Sequence, residues 1–127
     1  MKPLANSDVL VVDDSEVLRD AVAEYLRHTG LKVDLASDGR EGIERLASTD
    51  YAVMLLDYEM PLMNGTGVID WLRESSSKRP IVLMMTGFGE IESVPLDGTI
   101  VQAILRKPMD LSDLAPILQA CVDELRS

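Results

Sequence analysis

Three stretches of this chain are apolar at every position, residues 9–12, 53–56 and 81–85. Runs this short, bounded by turn formers and charges, read as strands covered on both faces, which belong to parallel sheets flanked by helices. Two weaker strand patterns accompany them: residues 32–36 alternate polar and apolar, and residues 100–105 are apolar except at Gln102. Between the strands the period changes to that of a helix. Val17, Leu18, Ala21, Val22, Tyr25 and Leu26 predict a first helix over residues 15–29, stopped by Gly30 as a left-handed residue. Asp38 with Glu41 three positions on makes a helix start of capping-box type. Ile43, Leu46 and Ala47 mark the buried stripe of that second helix, which ends near Ser48. Val68, Ile69 and Leu72 predict a third helix over 67–74, with Trp71 half covered beside the stripe. Residues 88–98 hold Pro95 between Gly89 and Gly98 and predict a short or irregular fourth helix. Leu111, Leu114, Ile117, Leu118, Cys121, Val122 and Leu125 space out as a last helix, capped by Asp110 or Ser112, with Pro116 straining or tightening its first turn.

Five strand–helix pairs in strict alternation imply an α/β fold with one parallel sheet and right-handed crossovers. The unbroken strands suit central positions, and the alternating second and the interrupted fifth suit the edges. The flavodoxin-like (βα)5 order 2-1-3-4-5, with helices on both faces, satisfies that assignment. Its switch point lies between the first and third strands, whose ends carry Asp13, Asp14 and Asp57. At 127 residues the chain fits one domain, residues 8–127, preceded by a polar leader of residues 1–7.

Composition narrows the partners. With 22 acidic against 12 basic residues the net charge is -10, which repels phosphate backbones and anionic headgroups, so no direct nucleic-acid or membrane binding is expected. The single cysteine, Cys121, permits no internal disulfide and suits a reducing compartment. No apolar run reaches membrane-spanning length and residues 1–8 lack a signal-peptide core. The expected location is the cytoplasm. His28, the one histidine, suits the last turn of a helix, where partial positive charge is favourable.

Three carboxylates at one crevice repel one another, so they persist with a raised pKa or a bound cation. The available ligands are hard oxygens, which suits Mg²⁺, or Mn²⁺, rather than zinc. The fourth and fifth strands end in Thr86 and Lys107, a hydroxyl and a compact positive charge. A metal, a lysine and a hydroxyl around one carboxylate is the set that phosphoryl transfer onto that carboxylate requires, with Asp57 attacking phosphorus.

The motifs VLVVDDS (9–15), LLDYEMPLMNG (55–65), MMTG (84–87) and LRKP (105–108) together resemble the receiver domains of two-component response regulators over nearly the whole chain. The resemblance implies that Asp57 is the phosphoacceptor, that Asp13, Asp14 and the backbone carbonyl of Glu59 arrange Mg²⁺, and that Thr86 and Lys107 contact the phosphoryl group. It also implies a cis Lys107-Pro108 peptide. The implied donor is a phosphohistidine on a sensor histidine kinase or a histidine phosphotransfer protein, and phosphorylation would change affinity for a downstream effector or drive homodimerisation. Such a domain catalyses its own phosphorylation and slow dephosphorylation and is otherwise no enzyme. Ile104, three residues before Lys107, stands where the family usually has Tyr or Phe, so the readout is expected to be muted or to use another element such as residues 88–98. Asn64 replaces a commonly acidic loop residue. Glu59 adds a fourth carboxylate that could pair with Lys107 or alter acyl-phosphate lifetime. A pseudo-receiver would have lost Asp57, Lys107 or the acidic pair, and none is lost. Asp57-Tyr58-Glu59 also mimics the D-x-D of haloacid-dehalogenase-type phosphohydrolases, but there the acidic metal pair follows the nucleophile, whereas here it precedes it. The chain is expected to be either a stand-alone regulator or a piece of a larger regulator or hybrid kinase.

Overall fold

A computed structural model describes residues 5–58, 65–75, 79–87, 99–107 and 110–126. Nine elements follow in order among them: β1 (Ala5–Val12), α1 (Glu16–His28), β2 (Val33–Ala36), α2 (Gly39–Ser48), β3 (Thr49–Asp57), α3 (Gly65–Glu74), β4 (Ile81–Thr86), β5 (Val101–Arg106) and α4 (Leu111–Arg126). The strands form one parallel sheet of order β2-β1-β3-β4-β5, as the hydrophobic pattern predicts. Residues 88–98, where a fourth crossover helix is expected, lie outside the described residues.

The unbroken strands are explained by what lies on each face. Side chains alternate across a strand, so Leu10, Val12, Met54, Leu56, Val82 and Met84 enter one core with Leu46 of α2 and Val68, Ile69 and Leu72 of α3. Val9, Val11, Val53, Leu55, Leu83 and Met85 enter the other with Val22 and Leu26 of α1 and Leu114 and Leu118 of α4. Both faces demand apolar residues, and alternation disappears. Burying one Leu- or Val-sized side chain contributes roughly 1.5–3 kcal/mol, so these twelve strand positions dominate the stability of the sheet.

Several boundaries and stripes differ from expectation. β1 starts at Ala5 and β3 at Thr49, because Ala5, Asn6 and Ser7 pair with Thr49, Asp50 and Tyr51. Main-chain pairing needs no apolar side chain, so the expected polar leader runs into the sheet. On α1 the buried residues are Val22, Ala23 and Leu26, whereas Val17 is 81% exposed and Ala21 and Tyr25 face solvent. The apolar arc of this helix is wider than its contact. On α2 the buried positions are Gly39, Gly42 and Leu46, and Ala47 is exposed. A Cβ on Gly42 would lie 3.2 Å from Val12 Cγ2, so glycine brings α2 close to β1 and turns its stripe toward Gly42. Pro116 is the sixth residue of α4 and exposed, beyond the first turn where strain was expected. Asp110 rather than Ser112 precedes that helix, its carbonyl accepting from the Asp113 and Leu114 amides at 3.0 Å each. The left-handed stop at Gly30 is observed, with φ 89°, as is half-burial of Trp71.

Candidate functional site

The carboxyl ends of four strands converge. At the end of β1 the chain leaves the sheet in a tight turn: the Asp13 amide donates to the Ala36 carbonyl at 3.1 Å, and the Ser15 amide donates to Asp13 Oδ1 at 2.8 Å. Ser15 then caps α1, its hydroxyl accepting from the Leu18 amide at 3.3 Å. This places Asp13 buried and Asp14 exposed on either side of one turn. Asp57 ends β3 opposite Met85 and is 2% exposed. Thr86 ends β4, fully buried, and its carbonyl accepts from the Lys107 amide at 2.8 Å. The turn after β5 is thereby tied to the end of β4, and Lys107 Nζ lies 3.0 Å from Asp57 Oδ1 and 3.6 Å from Asp13 Oδ2.

One carboxylate oxygen each from Asp13, Asp14 and Asp57 lie within 4.8 Å of one another. Their electrostatics follow from burial. Desolvation is the largest influence on Asp57; the hydrogen bond from Lys107 opposes it, the charge of Asp13 reinforces it, and the carboxyl is pushed up to about 6. Asp13 is also raised, chiefly by burial, against the Ser15 amide and the Lys107 charge. Burial alone would lower Lys107, but its hydrogen bond to Asp57 and the fields of Asp13, Asp57 and Asp14 prevail and hold it above its ordinary value. Two carboxylates against one ammonium leave a deficit of positive charge. Asp13 Oδ2 and Thr86 Oγ1 are moreover buried with no hydrogen-bond partner among the described residues, and a buried acceptor without a donor costs about 1–3 kcal/mol. An all-oxygen donor set with an anionic oxygen that accepts no hydrogen bond among the described residues fits a hard divalent cation such as Mg²⁺. The same arrangement sets a carboxylate beside an ammonium, able to act as a nucleophile toward an anionic electrophile.

Of the residues singled out from sequence, Asp13, Asp14, Asp57 and Lys107 are brought together around one point and Thr86 ends the adjoining strand. Glu59 and Pro108 lie outside the described residues, and with them the expected carbonyl ligand and the expected cis peptide; Asn64 does too. Ile104 pairs with Met84 across β4 and β5 and is half-buried against the core shared with α2 and α3. Sequence reasoning passed over Arg19, whose Nη1 donates to the Asp13 main-chain carbonyl at 2.6 Å. A basic residue six positions after Asp13 was the available signal.

The chain is similar to known proteins over most of its length. Residues 9–119 match the family model described as the response regulator receiver domain. The transcriptional regulatory protein CutR of Streptomyces coelicolor is 37% identical over 114 residues, covering 88% of this chain and 52% of CutR. This chain thus spans about half the length of that relative. The structure of the chemotaxis response regulator CheY4 of Vibrio cholerae superposes with a TM-score of 0.79 at 30% identity, covering 94% of this chain and 99% of that one. The response regulator TrrA of Thermotoga maritima, in complex with Mg(2+)-BeF, superposes with a TM-score of 0.75 at 25% identity, covering 91% of this chain and 98% of the other.

Proposed function

The chain belongs to the response regulator receiver domains, which are signalling domains of two-component systems and not classical enzymes, and from that membership we propose that Asp57 is its phosphoacceptor in a phosphorelay. The observation that carries the reading is the meeting of the Asp13, Asp14 and Asp57 carboxylates within 4.8 Å with Lys107 Nζ 3.0 Å from Asp57. In the proposed reaction an Asp57 oxygen attacks the phosphorus of a phosphohistidine on a sensor kinase or phosphotransfer protein. The new O–P bond forms as the N–P bond breaks, and the imidazole leaves with the electron pair and takes up a proton. Lys107 neutralises a phosphoryl oxygen and, once Asp57 carries the acyl phosphate, exchanges its carboxylate partner for that oxygen. The buried Thr86 hydroxyl, partnerless among the described residues, donates to another.

Asp13, Asp14 and Asp57, with the Glu59 carbonyl as a further proposed ligand, would hold Mg²⁺, with Mn²⁺ as a substitute. When bound, the cation supplies positive charge to the phosphoryl oxygens and relieves the mutual repulsion of the carboxylates. That TrrA binds Mg(2+)-BeF supports the assignment by kinship. Phosphorylation would then alter affinity for a downstream effector or for a second copy. No helix among the described residues is long and apolar enough to cross a membrane, which suits the proposed cytoplasmic setting. The test is labelling of the chain by radioactive acetyl phosphate. Stoichiometric, Mg²⁺-dependent labelling that vanishes in Asp57→Asn is expected. Multiple turnover without stable label would mean a phosphohydrolase, and absence of label in wild type a pure interaction domain.

A further inference from the structure

Arg19 is the fourth residue of α1, a position where a cation faces the partial positive charge of the helix N-terminus and is locally disfavoured. A local rule broken beside a functional site calls for a compensating contact. Here it is the charge-assisted hydrogen bond from Arg19 Nη1 to the Asp13 carbonyl at 2.6 Å, made by a half-buried side chain to a residue with no solvent exposure. The Arg19 amide donates in turn to the Ser15 carbonyl at 3.0 Å. With the Ser15 amide on Asp13 Oδ1 and the Asp13 amide on the Ala36 carbonyl, Asp13 is held at its amide, its carbonyl and its carboxylate. The carboxylate also faces Lys107 Nζ at 3.6 Å, whereas the carbonyl is held by the Arg19 side chain.

We propose that Arg19 is a positioning residue for the cation site: by fixing the Asp13 carbonyl it sets the peptide between Asp13 and Asp14, and so the separation of the two carboxylates that flank it. This rests on the cation reading above. The Arg19 guanidinium meets the main-chain carbonyl of Asp13, so Arg19 works through the main chain and not by neutralising the ligands. That distinction fixes opposite signs for the test. As a nearby positive charge, Arg19 would repel a divalent cation, and its removal would tighten binding; as a positioning group, its removal loosens binding.

The experiment is calorimetric titration of Mg²⁺ into the whole chain, wild type, Arg19→Met and Arg19→Lys, with urea unfolding of each in EDTA as the structural control. Arg19→Met is expected to weaken Mg²⁺ five- to tenfold while remaining folded throughout the titration. Arg19→Lys, which keeps the charge and loses the guanidinium fork, is expected to weaken it two- to threefold. Wild-type or tighter affinity in folded Arg19→Met overturns the proposal. Should Arg19→Met fail to fold, wild-type affinity in Arg19→Lys overturns it. A wild-type chain that binds no Mg²⁺ at millimolar concentration overturns the cation reading itself and the role of Arg19 with it.

Discussion

The Thr86 hydroxyl is buried with no hydrogen-bond partner among the described residues, so its presence is a cost to the folded state unless a phosphoryl oxygen meets it. Thr86→Val keeps the shape and removes the unsatisfied group. Such a change is expected to leave stability within about 0.5 kcal/mol of wild type or to raise it, read by urea denaturation, while slowing labelling by acetyl phosphate. A loss above about 2 kcal/mol would show that the hydroxyl has a structural partner. Asp57 follows the same logic with a sign in pH. Its carboxyl sits at about 6 in the folded chain against an ordinary 3.8, so folding takes up a proton between those values and stability falls as pH rises through that window. Above it the ionised, buried carboxylate costs on the order of 1–3 kcal/mol. Asp57→Asn, melted beside wild type in EDTA, should therefore be the more stable at pH 7, and the difference should vanish near pH 4. At this scale the site was legible: Asp13, Asp14, Asp57, Thr86 and Lys107 were each marked by a change of residue type at a strand end. Arg19 was not, because its contact is to a main-chain carbonyl, which sequence does not display.

Among the elements, β3 is extended beyond its apolar run by Tyr51, buried to 2%, whose hydroxyl reaches across β1 to donate to Asp34 Oδ2 on β2 at 2.6 Å. This contact ties the edge strand to the centre. Desolvation, then the hydrogen bond to Asp34 and the charge of Asp34, hold the phenol well above its ordinary 10.0. The folded chain thus keeps the proton where the unfolded chain loses it, so the stabilisation is whole below pH 10 and is lost as pH rises beyond it. Tyr51→Phe should cost about 1–2 kcal/mol at pH 7, and the gap to wild type should narrow above pH 10 in equilibrium unfolding. A gap that does not change with pH would remove the hydrogen bond as its cause. Tyr51 also shows why element order could be read and element edges could not. Continuous apolar runs marked β1, β3 and β4 because two cores demand them. The starts of β1 and β3 are paired through the main chain, which leaves no apolar pattern in the sequence, and the contact face of α2 depends on the close approach at Gly42, which carries no hydrophobic signal.

For the whole molecule the governing quantity is the net charge of -10, on which the proposed cation site is superposed. The general repulsion is long-ranged and screened by any salt, with a Debye length of about 10 Å at 0.1 M. The repulsion among Asp13, Asp14 and Asp57 is local, at separations within 4.8 Å and mostly buried, where monovalent salt screens poorly. The two contributions should therefore separate by ion. Raising NaCl from about 10 to about 500 mM is expected to stabilise wild type and Asp57→Asn alike, since the substitution changes the net charge by only one unit. Mg²⁺ added at constant ionic strength should stabilise wild type further, by about 1.4 kcal/mol at ten times its dissociation constant. Asp57→Asn, with one ligand charge removed, should gain much less. Thermal melts of both chains across the two titrations make the comparison, and an Mg²⁺ increment of equal size in both would mean that the cation acts by screening the acidic surface and not at the strand ends.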